Sequence, residues 1–271
     1  MNASKFPTFL PCFLLSFTFL LFSTSQATLA SSHGLPRPLI VEYDRAAVYE
    51  LDEEVKLFCD SWRLAVEANN INPWKTVPQE CGAYVKDYMM GRAYSADLDR
   101  VSREAGAYAK KVELGSDGRD AWIFDIDETL LSNLPYYADH GFGLEVFNSE
   151  RFDKWVDEAA APAIQSSLKL YKEVMDLGFK VFLLTGRSEK QRAVTVENLI
   201  NAGFQNWDEL ILRAPDDQGK QAVVYKSAKR EEMAKEGYRI LGNSGDQWSD
   251  LLGSSMSSRS FKLPNPMYYI L

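Results

Sequence analysis

Residues 122–131 read WIFDIDETLL, an apolar run broken by two aspartates one residue apart. A run this apolar belongs in an interior, yet each carboxylate is costly to bury as an ion. In a strand, side chains two apart point to the same face, so Asp125 and Asp127 would stand side by side unless the strand ends there. Either something positive meets them or one of them holds a proton. The segment is read as a buried strand, Ala121 to Asp125, that delivers the acids to its carboxyl end.

The surrounding pattern agrees with such a strand. After the turn GSDGRD at 115–120, short β-rich runs alternate with amphipathic helices, the texture of α/β units around a parallel sheet. Further strands are predicted at Lys180–Leu184, Glu209–Leu212 and Arg239–Leu241, with a weaker pattern at Ser260–Leu263. A helix over Ala163–Leu177 has Pro162 at its first position and Gly178 just past its end. The next starts at Ser188, where Ser188 and Gln191 have capping-box spacing, and stops at Gly203. From about Asp44 to Val112 the pattern is helical. Val48, Leu51, Val55, Phe58 and Trp62 recur at three- and four-residue steps, a loop covers Asn69–Pro78, and two more helices are predicted over Glu80–Tyr94 and Ala96–Val112. The expected organisation is an N-terminal helical segment, 44–115, packed on an α/β core of 120–271.

Lys5, the apolar run Phe9–Phe22 and small residues around Ser25, Ala27 and Ala30 have the layout of a secretory signal peptide over residues 1–30. A membrane anchor is the competing reading, but the run is shorter than the ~20 residues that span a bilayer. Removing the leader takes Cys12 and leaves Cys59 and Cys81, an even pair in an oxidising compartment, for which a disulfide is expected. Two separate buried thiols are the alternative. No Asn-x-Ser/Thr sequon follows the leader, so N-glycosylation is not expected. The formal charge of −8, one unit more negative without Lys5, argues against nucleic acid or an anionic membrane as a partner. An anionic substrate would need local cations.

Ligands of open α/β sheets bind beyond the carboxyl ends of the strands. Asp125, Asp127 and Thr129 follow the first strand. The strand KVFLLTGR ends in Thr185, Gly186 and Arg187 and runs into the capped helix. Lys226 lies at the start of a helix in VVYKSAKREEM, and YRILGN leads into SGDQWSDL with Asp246 and Asp250 in a loop. Singly these are ordinary turns and surface charges. Together, acids, hydroxyl, cation and acids all follow strands or open helices, where a parallel sheet brings them to one edge.

WIFDIDETLLSNLPYY, LLTGR, Lys226 in YKSAKR and GNSGDQWSD resemble the four motifs of the haloacid dehalogenase-like superfamily of phosphohydrolases. DIDETLLSN and the ending FKLPNPMYYIL more closely resemble the plant secreted acid phosphatases and vegetative storage proteins, over about Asp44 to Leu271. The resemblance implies a Rossmann-like parallel sheet and hydrolysis of small phosphomonoesters. By it Asp125 is the nucleophile that forms an aspartyl-phosphate, and Asp127 is general acid and then general base. Mg²⁺ is the implied cofactor, held by the Asp125 carboxylate, the Asp127 backbone carbonyl and Asp246. Thr185 would bond a phosphoryl oxygen and Lys226 would neutralise it. Asp250 either positions Lys226 or completes the outer metal shell; Arg187 either assists phosphate or caps local charge. Residues 131–161 fall where this superfamily inserts caps, and the short insert implies a small flap helped by the N-terminal helices. Its Tyr136, Tyr137, Phe142 and Trp155 either line an entrance or pack the insert.

The chief rival is a non-enzymatic storage protein of the same fold, against which stands the presence of Asp125 and every other motif position. Two histidines, His33 and His140, are too few for a histidine acid phosphatase or a binuclear-metal enzyme. Transfer to an alcohol acceptor and a Ca²⁺-binding module without turnover are further readings, and a homodimer is left open. The destination implied is the secretory pathway, ending in the extracellular space or the vacuole.

Overall fold

The computed structural model describes residues 52–271. The leader at 1–30 and the expected helical residues Asp44 to Leu51 lie outside the described residues. Five parallel strands form one sheet in the order β3-β2-β1-β4-β5: β1 Asp120–Phe124, β2 Lys180–Ser188, β3 Glu209–Arg213, β4 Arg239–Gly245 and β5 Arg259–Lys262. β1 is central and buried along its whole length, as a strand covered on both faces must be. The chain winds outward from it in one direction to β3 and returns to its other side at β4. The carboxyl end of β1 is therefore the switch point at which such sheets open a crevice.

Period-2 alternation splits β1 between two cores. Trp122 and Phe124 enter the larger core with Leu170, Tyr171 and Val174, whereas Ala121 and Ile123 face Tyr225 and Met233. The Trp122 ring stacks on Phe261 at 5.4 Å and its Nε1 donates to Ser244 Oγ at 3.1 Å. Gly242 in β4 is required by that ring: a Cβ there would lie 2.2 Å from it.

Among the described residues three α-helices precede the sheet: α1 Glu53–Glu67, α2 Gly82–Met90 and α3 Arg92–Ala109. The break between the last two falls at Gly91, whose extended backbone (ψ −176°) ends α2, and not at Ser95, which is buried inside α3. Apolar periodicity continues through both helices and does not mark the break; the glycine does. The inward face of α1 keeps Trp62 of the expected stripe but takes Cys59 in place of Phe58. Phe58 is 49% exposed while Cys59, Trp62 and Val66 are buried, because Cys59 is turned inward to its disulfide with Cys81, with a Cα–Cα distance of 5.5 Å. The bond closes a loop of 22 residues. Replacing both cysteines with alanine is expected to cost about 3 kcal/mol and to lower the melting temperature by roughly 6–12 °C, measured by calorimetry against the oxidised protein.

The insert after β1 contains α4 Leu134–Asp139 and α5 Ser149–Asp157. Tyr136, Tyr137 and Phe142 are buried in one cluster with Trp62, Tyr84 and Tyr88 of the N-terminal helices, so they pack the insert. α6 Gln165–Asp176 follows. It starts later than expected, and Pro162 is not its first residue. Ser132 N–H bonds to Pro162 O, Ile164 N–H bonds to Leu130 O, and Ala163 forms a bridge to Leu131, tying this stretch to the insert before a helix can begin. Gly178, at φ +95°, stands just past its end as expected. α7 Arg192–Asn201 has the expected Ser188/Gln191 capping box, though its first turn is a 3-10 turn, and Gly203 follows it at φ +95°. α8 Ala222–Lys235 carries Lys226. α9 Trp248–Leu251 places Asp250 on a short helix where a loop is predicted.

Candidate active site

β1 stops at Phe124, and the chain turns immediately: Thr129, Leu130 and Leu131 N–H groups all converge on Ile126 O, and Glu128 takes φ +54°. The strand geometry that would hold the two aspartates parallel is gone after the first of them, and they diverge to different cations. Asp125 Oδ1 accepts from Lys226 Nζ at 2.5 Å. Asp127 instead receives Arg187, with Nη2 at 2.8 Å from Oδ1 and Nε at 3.1 Å from Oδ2.

The Asp125 side is a cluster of acids around one lysine. Lys226 Nζ also donates to Asp250 Oδ1 at 2.5 Å, and Asp250 Oδ2 accepts from Gln247 N at 2.9 Å. Asp250 thus shares the Lys226 ammonium with Asp125. Carboxylate oxygens of Asp125, Asp246 and Asp250, all buried, lie within 4.8 Å of one another. Thr129 Oγ1 stands between two of them, 3.3 Å from Asp125 Oδ2 and 3.5 Å from Asp246 Oδ1. Three carboxylates against one ammonium leave negative charge that burial cannot tolerate. Accordingly burial, and then the Asp250 charge, push the Asp125 carboxyl well above the ordinary range although Lys226 pulls it down. Burial pushes Asp246 up to about 6. Lys226 is shifted upward, its two carboxylates outweighing burial, and stays an ammonium. Hard oxygen donors carrying surplus negative charge fit a divalent cation of the Mg²⁺ or Ca²⁺ type.

The Asp127 side is the electrostatic opposite. Burial would raise this carboxyl, but the charge and hydrogen bonds of Arg187 outweigh it and hold it below the ordinary range. The side chain is not free: Asn133 Nδ2 donates to Oδ1 at 2.9 Å and Thr185 Oγ1 lies 3.4 Å from Oδ2. Thr185 is fully buried and its Oγ1 accepts from Arg187 N at 3.1 Å. Arg187, 5% exposed, is paired with Asp127 in this structure. The sheet brings all the predicted residues, Asp125, Asp127, Thr185, Arg187, Lys226, Asp246 and Asp250, to one edge.

Several site residues have no motif signal of their own. Glu128 is fully buried and accepts from Tyr94 Oη at 3.0 Å and Asn133 N at 2.5 Å; burial, then the Asp246 charge, push it up to about 8. Asn133 links Asp127 to the insert, since its Oδ1 accepts from Trp155 Nε1 at 2.8 Å. Asn265 and Gln247 both donate to Asp246. The only signal available in sequence was polar residues set in apolar surroundings, as in TLLSNL around Asn133.

The family model described as HAD superfamily, subfamily IIIB (Acid phosphatase), matches residues 45–271. Acid phosphatase 1 of Solanum lycopersicum is 66% identical over 241 residues, covering 89% of this chain and 92% of that one. Stem 28 kDa glycoprotein of Glycine max is 48% identical, covering 80% and 85%. Vegetative storage protein 1 of Arabidopsis thaliana is 42% identical, covering 78% of each. Among solved structures, the class C acid phosphatase from Bacillus anthracis shares the fold, with a TM-score of 0.58 at 21% identity over 68% of this chain and 83% of that one.

Proposed function

The chain belongs to subfamily IIIB of the HAD superfamily, the acid phosphatases, and is a phosphoric monoester hydrolase; from that premise we propose a mechanism through an aspartyl-phosphate on Asp125. The observation that carries it is the separate pairing of the two aspartates, Asp125 with Lys226 and Asp127 with Arg187. One acid is set beside a cation that can follow charge onto a phosphoryl group, and the other is held apart from it for proton transfer.

A carboxylate oxygen of Asp125 attacks phosphorus as the ester P–O bond breaks, and Asp127 gives its proton to the departing alkoxide. Water then attacks the phosphoryl group, Asp127 takes a proton from it, and the Asp125 carboxylate is released with inorganic phosphate. Arg187 holds Asp127 below the ordinary carboxylate range in this structure, so to act as acid the carboxyl must leave that partner and take up a proton before the ester bond breaks; the proton it later takes from water restores the acid for the next turnover. Lys226 is the fixed cation of the site, and Thr185 is close enough to offer its hydroxyl to a phosphoryl oxygen.

The family and the buried aspartate cluster give a site fit for a metal, and we assign Mg²⁺ to it, with Asp125, Asp246 and the Asp127 backbone carbonyl as ligands and Asp250 beside them. When bound, the ion screens the repulsion between the Asp125 carboxylate and a phosphate dianion. EDTA is expected to abolish phosphate release from p-nitrophenyl phosphate and Mg²⁺ to restore it. Mg²⁺ at about 100 times its Kd should also stabilise the fold by about 2.7 kcal/mol, read as a rise in melting temperature. Unchanged melting and full activity in EDTA would sink the metal assignment.

The substrate class is the small phosphomonoester, with the N-terminal helices, described from Glu53 to Ala109, and the flap 131–161 as the elements expected to bound the entrance to the core of 120–271. The disulfide, and relatives named as glycoproteins, support the secretory pathway; the extracellular space or the vacuole is the proposed destination. No described helix is long and apolar enough to cross a membrane. A storage role is the second reading, favoured by the relatives named as storage proteins. It requires no turnover, so a protein that turns over p-nitrophenyl phosphate only while Asp125 is intact is an enzyme whatever its abundance.

A further inference from the structure

A carboxylate that binds a small divalent cation through one oxygen must have its other oxygen satisfied, and the groups that do so fix the ligand's orientation. Asp246 is arranged in this way. Its Oδ1 faces Thr129 and, through that hydroxyl, Asp125. Its Oδ2 accepts two amide donors, Asn265 Nδ2 at 2.7 Å and Gln247 Nε2 at 2.8 Å. Both amides are buried.

An amide can present either its oxygen or its nitrogen, and the choice is made by what its other end meets. Here both choices are made by backbone N–H groups of one short segment. Met267 N–H donates to Asn265 Oδ1 at 3.0 Å, and Ile270 N–H donates to Gln247 Oε1 at 3.0 Å. Each forces the NH₂ end of its amide toward Asp246. The segment and the residues flanking it are anchored at three points outside the metal cluster. Asn265 N–H donates to Glu67 Oε1 of α1 at 2.8 Å, Lys262 Nζ reaches Glu67 Oε2 at 2.8 Å, and Ala222 N–H at the start of α8 bonds to Leu271 O at 2.7 Å.

We propose that the segment Asn265–Ile270, through Asn265 and Gln247, is a positioning device for the metal ligand Asp246: it occupies Oδ2 and turns Oδ1 toward the ion. The inference rests on the reading of Asp246 as a ligand. It assigns a job to residues that approach neither phosphorus nor the leaving group, and makes α1, by way of Glu67, a remote support of the metal centre. The backbone N–H of residues 267 and 270 acts only through the two amides, so the amides are where the device can be cut.

Titration calorimetry of the metal-free full-length protein with Mg²⁺ tests it, alongside melting curves in EDTA. Asn265→Ala is expected to weaken Mg²⁺ binding about 10–100-fold, more than any change in metal-free melting accounts for. A folded Asn265→Ala protein that binds Mg²⁺ as wild type does would overturn the proposal, because a merely structural asparagine would lower the melting temperature and leave the affinity of the folded protein alone. Should Asn265→Ala fail to fold, Gln247→Met keeps the side chain's length, removes only the amide, and is read by the same titration with the same two outcomes. Wild-type protein that binds no Mg²⁺ refutes the metal reading itself, and with it this proposal, and is distinguished from the other failure by the wild-type titration alone.

Discussion

Asp125→Asn is expected to remove at least about 10⁴-fold of the phosphatase activity while leaving the fold intact. The amide has the size of the carboxyl and can still accept from Lys226 Nζ, which lies 2.5 Å from Oδ1 in the wild type, but it has no anionic oxygen to form the bond to phosphorus. A loss confined to kcat separates this from a failure to bind. Stability should move the other way in EDTA at neutral pH. Burial and the neighbouring acids make the Asp125 carboxyl a group whose folded pKa lies above its unfolded one. Such a group weighs against folding above its unfolded pKa, near 3.9, and more so as pH rises toward the folded value. Neutralising it should raise the melting temperature at pH 7, and the gain should vanish toward pH 4. Equal rates of p-nitrophenyl phosphate hydrolysis by wild type and variant would remove Asp125 from its role.

The second large effect belongs to Lys226. Lys226→Met keeps the length of the side chain and leaves Asp125 and Asp250, both buried, without their shared cation. Breaking a buried pair from one side strands an uncompensated charge, and the cost is about 3–5 kcal/mol. Here two buried carboxyls lose the one cation they share, so the upper part of that range is expected at pH 7 without metal. Two treatments should relieve it. Acidification protonates Asp125, whose carboxyl is already held above the ordinary range by burial, so the penalty should shrink from pH 7 toward pH 4. Mg²⁺ supplies positive charge from the other side of the cluster, so the variant should gain more stability from the ion than wild type does. Activity should fall by more than 10²-fold even in the folded, Mg²⁺-loaded variant. A penalty independent of pH would mean that lost packing, and not lost charge, explains the destabilisation.

Much of this site was legible because its chemistry is written in short runs. Strand ends are conspicuous when an apolar run meets an acid or a Thr-Gly, and a parallel sheet collects such ends along one edge, so Asp125, Thr185, Arg187 and Asp246 could be gathered without coordinates. The division between Asp125 and Asp127 was legible only in part. That the two acids take different roles is what the family resemblance implies, but that Arg187 holds Asp127 depends on a turn geometry, with Glu128 at φ +54°, that no residue in DIDETLL announces. Asn133, Asn265 and Gln247 were opaque for a related reason: an amide carries no charge, and its role is set by partners far away in the chain. The same holds for Phe58, whose exposure follows from the inward turn of its neighbour Cys59 and not from its own hydrophobicity.

The sheet order has a consequence for how the active centre comes into being. β1 and β4 are neighbours in space, yet two strands and five helices lie between them in the chain. Pairings of such long sequence separation are slow to form, because loop closure is costly before contacts reward it. The contact between the Asp125 turn and Asp246 therefore exists only where β1 and β4 are paired, across the 117 residues that separate Thr129 from Asp246. The acidic cluster is accordingly a property of the paired sheet and of no shorter stretch of the chain.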